Sequence, residues 1–381
     1  MEKLGVIVNF QFAVWVIAVL FMVSFIVQLY YYLANFSKFS WLNDSLMPKS
    51  TDLPPISIVV CARNESANLQ KHLPRLLSLN YPDYEVVVVN DCSYDDSKDI
   101  LEAFERQYPN LKVTTLNEDV IYQHDKKFAV TIGIKAAKHE LMVLTDADCY
   151  PKSENWLREI VRNYTPSTSM VLGFGSYEKE SFFVNRLIRF DTFFIGMQYF
   201  TAALRGEPYM GVGRNLSYKK TLFFKNKGFA SHSHIRSGDD DLFVNQVANA
   251  NNTGICYVKD GHTVSIPKDN FGDWFDQKRR HLTTSPHYKP SDKRYIGIQV
   301  FSSFFFYVTL FLLLGLQFFP LIILFLFIVR LIVQMIIFKS AMEKLDEKDL
   351  WLWSPLLDMV LTFIYPLLTI SNSFNEEPRW K

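Results

Sequence analysis

The chain has 381 residues, and its 40 Lys and Arg against 39 Asp and Glu give a formal net charge of +1. This balance gives no reason to expect a protein that binds nucleic acid, because such proteins carry a basic surface. Hydrophobic residues make up 49% of the sequence and occur in long uncharged runs, which excludes a disordered chain and a wholly soluble enzyme. The four cysteines form no CxxC pair, so neither a disulfide framework nor a zinc knot is indicated.

Residues 9–37 contain no Asp, Glu, Lys or Arg. A helix needs about 20 apolar residues to cross a bilayer, whereas the apolar core of a cleaved signal peptide has only about 7–15. We therefore predict that residues 1–49 form an uncleaved transmembrane anchor followed by a linker.

Residues 50–294 carry most of the charge and are numerous enough to bury a core of their own. Continuous β-branched runs alternate with segments of helical spacing, a pattern that is typical of a doubly wound α/β sheet with parallel strands. The predicted strands are 56–60, 84–89, 111–116 and 140–144, and the predicted helices are 65–79, 95–107 and 126–138.

Polar residues follow these strands directly, where α/β sheets bind their ligands. Asp146 and Asp148 come after the fourth strand. Two carboxylates at this spacing repel each other unless a cation lies between them, and they suit a hard divalent ion such as Mg²⁺ or Mn²⁺. Neither GxGxxG nor GxxxxGK[ST] occurs, so we expect metal and side chains, not a glycine-rich turn, to hold the phosphates of a nucleotide.

Residues 182–204 are apolar with three charged positions. They form either an amphipathic helix in the bilayer interface or a buried core helix.

A second uncharged run covers residues 295–329, and a third apolar stretch is interrupted by Asp358. We predict that residues 295–381 form transmembrane helices near 298–316, 320–338 and 354–371, and a re-entrant pair is the alternative for 298–338. Arg330 and Asp358 fall inside these spans, where charges are costly. Either they pair with each other or Arg330 contacts a lipid headgroup or phosphate.

Positive charge in the short flanks sets the orientation of a membrane protein. We expect an integral protein of the cell inner or plasma membrane with residues 50–294 in the cytoplasm and both termini on the far side. The flanking cations are Lys38, Lys49, Lys289, Lys293, Arg294, Lys339, Lys344 and Lys348, against Lys3, Arg379 and Lys381 at the ends.

The motifs between residues 56 and 281 resemble, in order, those of the glycosyltransferase family 2 catalytic domain, whose fold is GT-A. The xRNE turn with Arg63 and Glu65 is similar to the one that follows the family's first strand. The turn around Asp91 resembles DDGSxD, with Asn90 and Cys92 in place of an Asp and the Gly. The resemblance implies that Arg63 and Glu65 belong to the donor site and that Asp91 reads the base of a sugar nucleotide.

Three further motifs complete the resemblance to the family's donor site. Lys126 matches the Lys of GKxxAL near the phosphates, with Lys127 as the alternative, and Asp146 and Asp148 match the metal-binding DxD motif. Gln277 and Arg280 match the family's QxxRW motif and are expected to add donor or positive groups at the diphosphate. His281 stands where that motif has Trp, which leaves acceptor type and processivity open.

The segment Gly238-Asp239-Asp240-Asp241-Leu242 resembles EDxDL, which supplies the catalytic base in the family. If the motif is aligned on Leu242, the base is Asp239. If it is aligned on the acidic pair, the base is Asp240. Adjacent carboxylates raise one another's pKa, which favours base chemistry near neutral pH.

The sequence thus favours a membrane-anchored, metal-dependent, inverting glycosyltransferase that moves a sugar from a nucleotide-diphosphate donor to a lipid or lipid-linked acceptor. A UDP-sugar is the donor that the resemblance favours. One alternative is a processive polysaccharide synthase, which would need more transmembrane spans and an intact QxxRW motif. Another is a non-catalytic subunit that binds nucleotide or lipid, which the full set of Asp motifs disfavours.

Overall fold

The computed structural model describes residues 2–46, 49–117 and 125–374. Its centre is a mixed seven-stranded sheet in the order β3-β2-β1-β4-β8-β6-β9. The strands of this sheet are β1 Ile56–Ala62, β2 Tyr84–Asp91, β3 Leu111–Leu116, β4 Leu141–Asp146, β6 Met170–Gly173, β8 Leu216–Lys219 and β9 Thr253–Cys256. The first four strands run parallel to one another, and β8 is antiparallel to both of its neighbours.

The predicted α/β sheet is therefore confirmed, and β1, β2 and β4 extend slightly beyond the predicted limits. Cys61 is in register with Asp146, and Ala62 is in register with Asn90. Because of this register, the carboxyl ends of β1, β2 and β4 lie side by side and the polar turns that follow them share one edge of the sheet.

A second sheet of three short strands in the order β5-β10-β7 packs beside that edge. Sequence periodicity did not predict it, because a three-residue strand is too short to show alternation. Its strands are β5 Cys149–Pro151, β7 Gly175–Tyr177 and β10 Thr263–Ser265.

Helices cover both faces of the large sheet and continue into an apolar bundle. The helices of the sheet domain are α3 Ser66–Leu77, α4 Ser97–Gln107, α5 Lys126–Ala136, α6 Trp156–Val161, α7 Phe183–Leu204, α8 Lys220–Lys225, α9 Asp241–Val247 and α10 Phe271–Leu282. Those of the bundle are α1 Glu2–Tyr30, continued through a π-helical turn into α2 Ser37–Ser40, then α11 Pro290–Gly315, α12 Pro320–Lys344 and α13 Ser354–Phe374.

Four helical segments of the described chain are long and apolar enough to cross a membrane: 11–40, 290–315, 320–344 and 348–372. This agrees with the predicted one N-terminal and three C-terminal helices. Both α11 and α12 are long enough to cross, which favours a hairpin over a re-entrant pair. Lys3, Arg379 and Lys381, on which the orientation prediction partly depends, have no described side chains.

Arg330 is completely buried in the bundle and pairs with Asp358, as one of the two sequence alternatives predicted. Its Nη2 lies 2.9 Å from the Asp358 carboxylate and 3.0 Å from the Tyr32 hydroxyl, and its Nη1 lies 3.0 Å from the Tyr307 hydroxyl. The cluster therefore joins α11, α12, α13 and the π-helical turn after α1 through polar contacts, as an apolar surrounding favours. The Arg330 Nε has no hydrogen-bond partner among the described residues.

Most of α7 is buried between the sheet and the bundle. The buried core alternative therefore describes α7 better than a helix lying free in the interface. Arg189 of α7 forms an ion pair with the buried Glu347 in the connection between α12 and α13, so α7 ties the two parts of the molecule together.

Both ends of α13 contact elements of the sheet domain. Just before α13, Asp349 pairs with Lys179 at 2.8 Å. Near the end of α13, the Asn372 amide donates to the Arg279 carbonyl of α10 at 3.0 Å. The end of α13 therefore lies beside α10 of the sheet domain, whereas the predicted orientation has the C-terminus on the far side of the membrane.

Candidate active site

A cavity of about 1080 Å³ lies at the carboxyl ends of the parallel strands and extends toward the apolar helices. Small-molecule sites usually occupy about 300–1,000 Å³, so this cavity is large for a single ligand. Most of the predicted site residues line its strand-side end, namely Arg63, Glu65, Lys126, Asp146, Asp148, Asp239, Asp240, Asp241, Gln277 and Arg280.

Asp146 ends β4, and Asp148 follows it in the turn into β5. Ligand atoms of Asp146, Asp148 and Cys149 lie within 4.8 Å of one another. Burial and the charge of Asp146 raise the pKa of Asp148, so its ionised form is costly without a nearby cation. The two carboxylates thus fit a hard divalent ion such as Mg²⁺ or Mn²⁺.

Cys149 is a poor ligand beside these carboxylates. Its Sγ contacts the Ser265 hydroxyl at 2.9 Å. Burial and the carboxylates Asp148 and Asp146 raise the pKa of its thiol, so Cys149 stays neutral and lacks the thiolate that binds metals.

Lys126, the first residue of α5, lies between two acidic motifs that are far apart in sequence. Its Nζ is 2.9 Å from Asp146 Oδ1 and 3.1 Å from Asp239 Oδ2. Burial opposes the charge of Lys126, but Asp146 and Asp239 outweigh it and raise its pKa. Burial likewise opposes ionisation of Asp146, yet Lys126 prevails and lowers the pKa of that carboxyl. Lys126 is therefore a fixed cation at the centre of the site.

The three adjacent Asp residues have different surroundings. Asp241 is buried and accepts hydrogen bonds from the Thr284 hydroxyl and, at 2.7 Å, from the Tyr288 hydroxyl. Asp239 is buried against Lys126. Asp241 is thus occupied by two hydroxyl groups and Asp239 by its ion pair, whereas Asp240 accepts hydrogen bonds from backbone N–H groups, one of them that of Asp241 at 2.7 Å.

Asp240 lines the cavity and is only partly buried. Its Oδ2 accepts a hydrogen bond from the Gly213 N–H at 2.7 Å, and a Cβ at Gly213 would lie 3.3 Å from that oxygen, so glycine permits the approach. Gly238, with φ +92°, makes the sharp turn before Asp239. Burial, then Asp239 and Asp241, raise the pKa of Asp240 to about 7.

Lys127 holds the loop that precedes these carboxylates. It is buried, and its Nζ donates to the carbonyls of His232 and Ile235, both at 2.7 Å. The sequence analysis treated Lys127 only as an alternative to Lys126. In the structure, Lys126 lines the cavity, whereas the Lys127 side chain binds the adjoining loop.

Asp91 lies behind the cavity wall. Its side chain is fully buried, it is not among the described residues that line the cavity, and one carboxylate oxygen is 4.0 Å from Arg63 Nη1. In this structure Asp91 is placed beside Arg63, and Arg63 and Glu65 face the cavity.

The turns after β1 and β2 are bound to each other. The Asn64 N–H donates to the Ser93 hydroxyl at 3.0 Å, and the Tyr94 N–H donates to the Asn64 side chain at 2.8 Å. Cys92 has φ +50°, a left-handed conformation that glycine adopts without strain. This explains why the family motif has Gly where this chain has Cys92.

Gln277, Arg280 and His281 reach the cavity from α10. Desolvation, then Lys278 and Arg280, lower the pKa of His281, so its imidazole is neutral near pH 7. Lys278 also lines the cavity and pairs with the fully buried Asp191 of α7. The ion pair fixes α10 against the helices that lie nearest the bundle.

Arg214 is a cavity residue to which the sequence analysis gave no role. It follows the close approach at Gly213, and its guanidinium lies over the Tyr177 ring at 4.4 Å. Its charge acts on both Asp146 and Asp148. The two glycines followed by an arginine at residues 211–214 were the available signal, but only the fold brings Arg214 to the DxD motif.

The other end of the cavity is apolar. Its walls come from the first half of α11 and from one face of α13, together with part of α7. On α13 the lining positions follow helical spacing and are Asp358, Leu361, Thr362, Tyr365, Pro366, Thr369 and Ile370.

Three curated relatives match a segment of this chain. Glycosyltransferase AglE of Haloferax volcanii is 33% identical over 110 residues, covering 28% of this chain and 34% of the relative. Poly-beta-1,6-N-acetyl-D-glucosamine synthase of Staphylococcus epidermidis is 32% identical over 123 residues, covering 32% and 28%. Beta-monoglucosyldiacylglycerol synthase of Synechocystis is 30% identical over 142 residues, covering 36% and 28%. The matches thus span about a third or less of each relative.

One solved structure is similar over nearly the whole chain. Mannosyltransferase PcManGT from Pyrobaculum calidifontis, in complex with GDP-Man and Mn²⁺, superposes with a TM-score of 0.63 and 16% identity, covering 96% of this chain and 99% of that one. At this identity the likeness concerns the fold.

The fold is therefore the GT-A fold of that mannosyltransferase structure. Residues 57–226 match the sequence model of glycosyl transferase family 2, so this part of the chain is similar to that family.

Proposed function

We propose that this protein transfers a sugar, with inversion, from a nucleotide-diphosphate donor to a hydroxyl group of a lipid or lipid-linked acceptor. The observation that carries the proposal is the single cavity that joins the carboxylate cluster at the strand ends to the apolar helices. A polar donor and an acceptor with a hydrocarbon chain can meet only in a site that offers both surroundings.

The donor diphosphate is placed at the strand-side end. Lys126, Arg214 and Arg280 supply positive charge there, and Gln277 supplies an amide. Positive groups fixed before the reaction stabilise the charge that develops on a departing diphosphate. Arg63 and Glu65 complete the polar wall, with a UDP-sugar as the favoured donor.

Asp146 and Asp148 are the residues that would hold Mg²⁺ or Mn²⁺. When bound, the ion neutralises phosphate charge and so favours departure of the nucleoside diphosphate. Lys126 keeps Asp146 ionised, so at least one carboxylate is ready to bind a cation.

Asp240 is the residue that we assign as general base. Its pKa near 7 allows it to take a proton at neutral pH. The acceptor oxygen then attacks the anomeric carbon as the diphosphate leaves from the opposite face, and a single displacement of this kind inverts the anomeric centre. A phosphate acceptor would already be ionised and would need no base, so the presence of Asp240 favours a hydroxyl acceptor.

A processive polysaccharide synthase is the second candidate, and the similarity to the Staphylococcus epidermidis enzyme favours it. A polymer would need a path through the bundle. Beyond Asp358 at the apolar end of the cavity, the buried Arg330 cluster fills the bundle. The packing of the described residues therefore favours transfer of a single sugar.

The proposal is tested with purified protein in detergent, UDP- and GDP-sugars, Mg²⁺ or Mn²⁺, and total membrane lipid as acceptor. We expect release of a nucleoside diphosphate and a labelled lipid, both lost in Asp148→Ala and retained in the exposed control Asp260→Ala. A long polymer as product would support the second candidate. If folded protein releases no nucleotide from any donor, the proposed enzymatic function is refuted and a non-catalytic binding subunit is the better account.

A further inference from the structure

Two helices, α11 and α13, bound the apolar end of the cavity. They contact each other at one level and line the cavity on one side of that contact. At the contact, the Ser303 hydroxyl of α11 lies 3.0 Å from the Thr362 hydroxyl of α13, and the Phe304 and Phe363 rings pack at 5.8 Å. From there, α11 continues toward its start at Pro290, and α13 continues toward its end beside α10. The walls of the cavity follow these two diverging segments.

The diverging segments present one face each to the cavity. On α11 the lining residues fall between Lys293 and Phe304, and among them Gly297, Phe301 and Phe304 are spaced four and three residues apart in a stripe along one side of the helix. Thr369 and Ile370 continue the lining face of α13. The two stripes are therefore opposite sides of one opening.

Residues at the rim of this opening also face outward. Phe301 is 63% exposed and Ile370 is 56% exposed, although both line the cavity. They lie in segments that are long and apolar enough to cross a membrane. The cavity therefore opens to the side of the bundle, between two apolar helices.

Gly297 leaves the opening clear. A Cβ added at Gly297 would have no neighbouring heavy atom within 4 Å, so the space beside this residue is open. Any larger side chain there would project into the space between α11 and α13.

We propose that the space between α11 and α13 is a lateral portal through which the hydrocarbon chain of the acceptor lipid enters from the bilayer, with Gly297 at its threshold. The inference rests on the proposed function, because it assigns the route of that acceptor. The apolar rim suits a lipid chain. The neutral polar pairs further in, Gln198 with Gln299 at 3.3 Å and Ser303 with Thr362, suit a hydroxylated headgroup. A chain left in the bilayer would keep the acceptor at the depth of the cavity while its hydroxyl reaches Asp240.

The test uses the full-length protein in nanodiscs of total membrane lipid, with the donor found in the screen above. The variants are Gly297→Ala, Gly297→Leu and Gly297→Trp. Gly315→Trp is the matched control, because Gly315 lies in the same helix, also has no heavy atom within 4 Å of an added Cβ, and does not line the cavity. We expect labelled lipid to fall with side-chain size, at least tenfold for Gly297→Trp and less than twofold for Gly315→Trp.

A reversible block separates obstruction from misfolding. Gly297→Cys is treated with benzyl methanethiosulfonate and then with dithiothreitol, beside treated wild type and Gly315→Cys. Loss of lipid transfer that dithiothreitol restores, seen only at position 297, supports the portal. If wild type labels lipid and Gly297→Trp labels it equally well, the portal is refuted and the proposed function stands. If wild type labels no lipid, the proposed function fails and the portal fails with it.

Discussion

The three adjacent aspartates differ in role because their side chains have different neighbours, and their order in the chain does not show this. Asp241 is held by Thr284 and Tyr288, and Asp239 by Lys126. Asp240 keeps a raised pKa and faces the cavity. Motif comparison left Asp239 and Asp240 open, because both satisfy the same spacing.

Replacement of Asp240 tests its assignment as base. We expect Asp240→Asn to lower kcat at least about a hundredfold, the usual contribution of a general base, with little change in nucleotide affinity. The wild-type rate should rise with pH through about 7, because only the ionised carboxyl accepts a proton. The exposed control Asp99→Asn should keep the wild-type profile. A variant with near wild-type turnover would rule out Asp240.

The raised pKa of Asp240 also affects stability. Because the folded-state pKa of about 7 exceeds the ordinary value of 3.8, the folded protein binds a proton more readily than the unfolded chain. Stability from this group is therefore complete below about pH 4 and is lost as the pH rises through about 7. We expect Asp240→Asn to melt above wild type at pH 8 and to differ less at pH 5. A variant that melts below wild type at pH 8 would contradict this account.

Lys126 and a divalent ion act on the same carboxylate. Removing the positive charge of Lys126 raises the free energy of the ionised Asp146 carboxylate by about 1–4 kcal/mol at the effective dielectric of a partly buried site. We expect Lys126→Gln to bind Mn²⁺ roughly tenfold more tightly without donor, measured by electron paramagnetic resonance, and to turn over donor more slowly. Lys135→Gln, on the exposed side of the same helix, should match wild type. Weaker Mn²⁺ binding by Lys126→Gln would mean that Lys126 organises the site and does not compete for it.

Among the helices, α7 connects the sheet domain to the bundle. Arg189 and Glu347 are each about 2% exposed. An ion left buried without its partner is strongly destabilising, whereas an exposed pair contributes little. The buried pair of Arg189 with Glu347 should therefore contribute more to stability than the exposed ion pairs near α7.

Removal of one partner of this buried pair tests the connection. We expect Arg189→Met to lower the free energy of unfolding by roughly 3–5 kcal/mol, followed by denaturation in detergent. Arg189→Met combined with Glu347→Met should recover much of the loss. Lys179→Met, which removes the exposed pair with Asp349, should cost under about 1 kcal/mol. Equal losses in the two single variants would contradict the role given to burial.

In the whole molecule, α13 has the composition of a membrane span, yet both of its ends contact the sheet domain. Hydropathy measures how apolar a helix is and does not specify its direction. Contacts with α7 and α10 determine that direction here, and they make α13 one wall of the cavity.

The position of residue 372 has a consequence for topology. We expect a fluorescent protein fused directly after Asn372 to lie on the same side of the membrane as the sheet domain, because the Asn372 amide contacts the Arg279 carbonyl of α10. Labelling Asp99→Cys with an impermeant thiol reagent in intact cells and inverted vesicles reports the side of the sheet domain. Opposite sides for the two reporters would show that α13 crosses.

Much of this protein was predictable from local pattern. Buried β-branched runs predicted the parallel strands, the carboxylates after them predicted a cation site, and uncharged runs predicted the apolar helices. These features depend on residues that are close in sequence, so they are visible without the fold.

The tertiary structure decided what depends on distant residues. It placed Lys126 between Asp146 and Asp239, gave Asp241 to Thr284 and Tyr288, and moved Asp91 behind Arg63. It also made one cavity from the strand ends, α11 and α13. Such contacts form only when burial brings separate elements together, because the free energy of a charge or a hydroxyl depends on the neighbours that the completed fold provides.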